Sequence, residues 1–150
     1  MIQPTIITWV LLIFGFITCM PLLYVQLFML FDPHSKKTRD LVIGKEKDWH
    51  DKTHLQSAIG GAWADWIVFV PLLVVGAIGV ILGTEWGYAV YATAGAIMLY
   101  INTILWFQEK EYVYLAQGPL VYYTYYWGNF VYWGVAAIIY SVLRLSGMTL

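Results

Sequence analysis

The stretch Ile6-Ile-Thr-Trp-Val10-Leu-Leu-Ile-Phe-Gly15-Phe-Ile-Thr-Cys-Met20-Pro-Leu-Leu-Tyr-Val25-Gln-Leu-Phe-Met-Leu-Phe31 carries no charged side chain. A helix needs about 20 predominantly apolar residues to cross a bilayer core, so this stretch is long enough by itself. Working outward, the charges divide the rest of the chain. Asp32 to Lys52 holds eleven of them, Thr53–Thr84 only Asp65, and Trp86–Gln108 none. Glu109, Lys110 and Glu111 form a short break, and Tyr112–Leu143 is again uncharged up to Arg144. Four spans are expected: Ile6–Phe31, Gln56–Gly83, Trp86–Phe107 and Leu120–Leu143. Membrane barrel strands would instead show segments of about ten alternating residues.

Composition agrees. Of 150 residues, 61% are hydrophobic and 11% charged, with a mean hydropathy of +0.68. A soluble domain has about 45–50% apolar and about 25% charged residues. The predicted fold is all-α, an integral membrane four-helix bundle forming a single domain over 1–150, with one amphipathic cytoplasmic loop over 32–55. A net charge of −1 argues against a nucleic-acid partner. Cys19 is the only cysteine, which excludes a disulfide framework. The uncharged start has no basic n-region and is too long for a signal-peptide core.

Short connections around Glu85 and over Glu109–Pro119 make the second, third and fourth helices successive antiparallel neighbours. Lys36, Lys37, Arg39, Lys45, Lys47 and Lys52 lie in the 32–55 loop, Lys110 lies on the same side, and Arg144 stands alone opposite. By the positive-inside rule the loops face the cytoplasm and both termini face outward. Trp86, Tyr88 and Tyr91 read as an interfacial belt, and Gly79-Val-Ile-Leu-Gly83 as a close helix contact that could also serve a homodimer.

Asp65 is the most informative residue. About ten residues into its span it lies roughly 15 Å deep. An Asp there costs about 2.5 to 3.5 kcal/mol on insertion scales. No Lys or Arg is expected at that depth, so Asp65 is neutral, bonded by neutral donors, or paired with a cationic ligand. Counting from Pro119 places Asn129 at a similar depth, and counting back from Gln108 places Asn102 and Tyr100 near it. Tyr122, Tyr126, Asn129, Trp133 and Tyr140 share one helical face. Helix-helix glue and a polar-lined cavity both account for these residues; four polar groups in one layer favour the cavity. Glu109 caps the third helix and reads either as a solvated terminus or as an acid at the cavity mouth. Glu46, His50 and His54, four apart, would share a face of a helix. An interfacial helix accounts for them better than a metal site, and no cofactor is expected.

Asp65-Trp-Ile-Val-Phe-Val-Pro71, Tyr100-Ile-Asn102 through Trp106-Phe107-Gln-Glu109, and Gly118-Pro119-Leu120 followed by Tyr122, Tyr123, Tyr126, Asn129 and Trp133 together resemble the EXPERA superfamily of emopamil-binding sterol isomerases and sigma-receptor-like proteins. The resemblance covers roughly residues 60–140. It implies a four-helix domain in which Asp65 is the acid of an intramembrane ligand pocket, Glu109 the acid ending the third helix, and Asn129 and Trp133 the pocket wall. The isomerases also use a His and an acid in their first matching helix, where this chain has Cys19, Met20, Pro21 and Gln26. Proton shuttling needs a positioned acid and base, so this departure argues against catalysis. The expectation is a non-catalytic membrane protein binding a sterol-like or amphiphilic small molecule at Asp65, Tyr100, Asn102, Glu109, Tyr122, Tyr126, Asn129 and Trp133. An accessory subunit of a larger membrane complex and a sterol or lipid isomerase are the alternatives.

Overall fold

A computed structural model describes residues 2–45, 47–108, 110, 118–121, 123–124 and 127–149. Among them every regular element is helical: α1 Ile6–Phe31, α2 Lys36–Val42, α3 Lys52–Ala64, a π-helical turn Asp65–Phe69, α4 Val70–Ile81, α5 Glu85–Gln108, α6 Pro119–Val121 and α7 Gly128–Leu145. Four helical stretches are long and apolar enough to cross a membrane: Ile6–Phe31, the continuous Lys52–Ile81, Glu85–Gln108 and Gly128–Leu145. The chain divides into two compact units, Met1–Thr18 with Pro71–Leu150, and Cys19–Val70.

Helix starts follow side-chain capping. The Ser35 hydroxyl accepts from the Thr38 N–H at 3.1 Å, and the Thr84 hydroxyl accepts from the Gly87 N–H at 3.3 Å. Such oxygens satisfy N–H groups that have no partner inside the helix. At α3 the cap is Asp51, whose Oδ1 accepts from the His54 N–H at 2.8 Å. That hydrogen bond holds the Asp51 carboxyl below its ordinary pKa. A depressed folded-state pKa means the cap contributes stability above the unfolded value and loses it as pH falls through the folded one. Protection of the His54 amide, its exchange rate measured against the intrinsic rate, is therefore expected to fall on the acid limb in wild type. Asp51→Asn, which caps without titrating, should flatten that dependence.

In the larger unit, α4 and α5 meet backbone to backbone. A Cβ on Gly87 would lie 2.1 Å from the Gly79 carbonyl carbon, so only paired glycines allow the approach. Gly79 is thus spent within the chain, and Gly83, at φ +68°, closes the turn into α5 while its carbonyl accepts from the Ile2 N–H. Tyr88 and Tyr91, expected in an interfacial belt, are instead core residues; only Trp86 is exposed. The phenol of Tyr91 donates to the Leu11 carbonyl at 3.2 Å, and the same oxygen accepts from the Trp133 indole at 3.1 Å. Tyr140 bonds Thr5 at 2.8 Å and also Thr8. Arg144 is 3% exposed rather than a free outer charge. Its guanidinium donates to the carbonyls of Gln3 and Met148.

The fourth span differs from expectation. A continuous Leu120–Leu143 helix was predicted, whereas the long helix starts at Gly128 after a turn at Trp127. Gly128 is a weak helix former, which suits it to a helix end.

Candidate functional site

Asp65 lies where the second membrane-length helix departs from regular geometry. Pro71 has no N–H, and its ring would clash with the Ile67 carbonyl in a regular helix. The preceding turn is widened: the Val70 N–H reaches back to the Asp65 carbonyl, five residues away. Single π turns within α-helices concentrate at functional sites.

The Asp65 side chain is 8% exposed, and that of Gln26 on α1 is 9% exposed. The Gln26 amide donates from Nε2 to Asp65 Oδ2. Of the three states open to a buried Asp, the structure provides the neutral donor, and no described Lys, Arg or His pairs with it. The other end of the amide is unmatched: among the described residues Gln26 Oε1 is buried with no hydrogen-bond partner, and so is Nε1 of the neighbouring Trp66. An unpaired buried polar atom costs about 1–3 kcal/mol, so such atoms ordinarily have a partner or an ordered water. The Asp65–Gln26 pair by itself offers acceptors in excess of donors, while the Trp66 indole leaves one donor unmatched. Gln26 is the contact that sequence reasoning did not assign. Its signal was present, since a primary amide inside an uncharged run needs a partner.

The remaining ligand candidates belong to the other unit. Asn102 is 1% exposed; its Nδ2 donates to the Met98 carbonyl at 2.9 Å, while its Oδ1 is unpartnered. Tyr100, two residues earlier, is 70% exposed and does not share the buried face of Asn102. Asn129 is only the second residue of α7, so the depth obtained by counting from Pro119 does not apply. Trp133 is fully buried, its indole committed to Leu11 and its ring edge-on to Tyr91 at 5.6 Å. Glu109, Tyr122 and Tyr126 lie outside the described residues, as does Glu46 of the possible metal set. His50 precedes the Asp51 cap while His54 is inside α3, so they do not form an i, i+4 pair on one helix. Among the described residues no cluster of three or more His, Cys, Asp or Glu is arranged for a metal.

The chain matches no family model, no curated protein and no solved structure.

Proposed function

We propose that this is a non-catalytic membrane protein that binds an amphiphilic, cationic small molecule, with Asp65 as the anchor for its polar group. One observation carries the reading: a nine-tenths buried carboxyl hydrogen-bonded to a Gln26 amide whose own oxygen lacks a donor. A ligand N–H or ammonium group supplies the missing donor and the missing countercharge together, and an apolar body suits a membrane-buried position. The wide turn at Asp65 and the EXPERA-like motifs support the same reading. The departure from the isomerases in the first helix favours binding over chemistry. The test is saturation binding of a radiolabelled amphiphilic amine to wild-type and Asp65→Asn protein; equal affinity rejects the anchor.

The same proposal sets the 32–55 loop on the cytoplasmic side with both termini outside, on the Lys and Arg asymmetry. Cys19 is buried and is the only cysteine, so a Cys19→Ala background is free of thiols. In right-side-out vesicles of that background, a membrane-impermeant maleimide is expected to label Ser146→Cys and spare Ser35→Cys. The reverse pattern inverts the topology.

A further inference from the structure

At the end of α1 the chain makes a tight elbow. Thr38 is fully buried and its hydroxyl donates to the Asp32 carbonyl at 2.7 Å, while Ser35 caps the helix that follows. This hook fixes α2 against the last turn of α1. Gly44, at φ +98°, then turns the chain so that Lys45 joins the same groove. The groove is an open depression of about 510 Å³ lined by Lys36, Lys37, Asp40, Leu41 and Lys45. Drug-sized ligand sites fall within roughly 300–1,000 Å³.

Almost all of the groove's surface is apolar, so the lysines line it with their stems, and the charges that those residues carry are unbalanced. The only described acid in it, Asp40, already faces Arg39 at 3.6 Å, and none of the three lysines has a carboxylate partner among the described residues. Lys37 is also positioned: its Nζ sits 4.2 Å from the centre of the Phe28 ring. Phe28 is three residues from the end of α1, so this ammonium lies back along the apolar helix by about 4.5 Å, roughly one turn. Clusters of basic side chains immediately beside a transmembrane helix attract anionic lipid headgroups. Leu41, 40% exposed, gives the groove an apolar side suited to the start of an acyl chain.

We propose that this groove binds the headgroup of an acidic phospholipid, its phosphate among Lys36, Lys37 and Lys45. The inference rests on α1 crossing the bilayer and is independent of any ligand at Asp65. The test uses the detergent-solubilised full chain and a fluorescent phosphatidylglycerol, displaced by unlabelled lipids. Phosphatidylglycerol is expected to displace it at least about tenfold better than phosphatidylcholine, given the contribution of each lysine near an anionic surface. Millimolar inorganic phosphate should leave the probe bound; displacement by it would reassign the groove to free phosphate and overturn the lipid proposal. Lys36→Gln/Lys37→Gln/Lys45→Gln should abolish the preference, and Lys47→Gln/Lys52→Gln, outside the groove, should keep it. Equal losses in the two variants would mean diffuse charge and overturn the site. The triple arginine replacement retains the charge and the preference, which separates loss of binding from loss of fold. Loss of the preference in that variant with its helix content intact also counts against the proposal.

Discussion

Asp65→Asn protein is expected to bind an amphiphilic amine about tenfold to a hundredfold more weakly than wild type, with its fold intact. Asparagine has nearly the same shape as aspartate, so the change removes the charge without opening a void. A hydrogen bond to a charged group contributes about 1.5–3 kcal/mol, and each 1.4 kcal/mol is a factor of ten in affinity. The fold should tolerate the change because Gln26 Oε1, unpartnered in wild type, gains a donor from the new amide. Gln26→Leu is the complementary variant. It strips the carboxyl of its one described partner, so destabilisation should accompany any change in affinity. Saturation binding combined with a detergent-titrated unfolding curve separates the two outcomes. Unchanged affinity in Asp65→Asn would remove the anchor from the proposal altogether.

Trp133→Ala is expected to have the largest effect on stability, about 3–5 kcal/mol, the usual cost of truncating a buried aromatic. The indole is fully buried, and a Cβ on Gly15 would meet its Nε1 at 2.5 Å, so the side chain occupies space that α1 leaves open for it. Its N–H is one of two side-chain donors to the Leu11 carbonyl. Trp133→Phe loses that donor and also leaves the space beside Gly15 partly unfilled, and should cost less than the alanine change, about 1–3 kcal/mol. Unfolding in increasing denaturing detergent, followed by far-UV circular dichroism, gives both numbers. If Trp133→Ala were as stable as wild type yet failed to bind the amine, the indole would be a ligand wall rather than a packing residue.

Helix positions were legible where length alone decides them. The uncharged run Ile6–Phe31 coincides with α1, and the third span differs by one residue at each end. Charge gaps report such spans well because an ionised side chain is costly in hydrocarbon, whatever its neighbours. Breaks made without charge were not legible. Gly128 and the aromatic residues before it are apolar enough to leave a hydropathy window unmarked, yet the long helix starts there.

The candidate site was half legible. Asp65 announced itself by its cost. Gln26 was read only as part of the first helix's departure from the isomerases, and counting residues from helix ends, which measures distance along an axis rather than distance into a bilayer, does not bring it to Asp65. Gln26 lies five residues before Phe31, about 7.5 Å, and Asp65 thirteen after Lys52, about 20 Å, yet the two are bonded. Tyr88 and Tyr91 were misplaced for a related reason. Tyr serves equally at an interface and in a core where a carbonyl awaits its hydroxyl, and the Leu11 carbonyl became visible only in three dimensions.

The wide turn beginning at Asp65 has a consequence for heredity as well as geometry. A regular spiral advances about 100° per residue, so the surplus residue offsets the stripe of side chains ahead of the turn from the stripe behind it by that angle. Loss of a single codon there would leave 29 of the 30 residues in Lys52–Ile81, still about 43 Å of helix against a hydrocarbon thickness of roughly 30 Å. Such a shortened chain would keep a helix of membrane-crossing length but with one end rotated. Its tolerance for mutation at this point is set by azimuth, not by length.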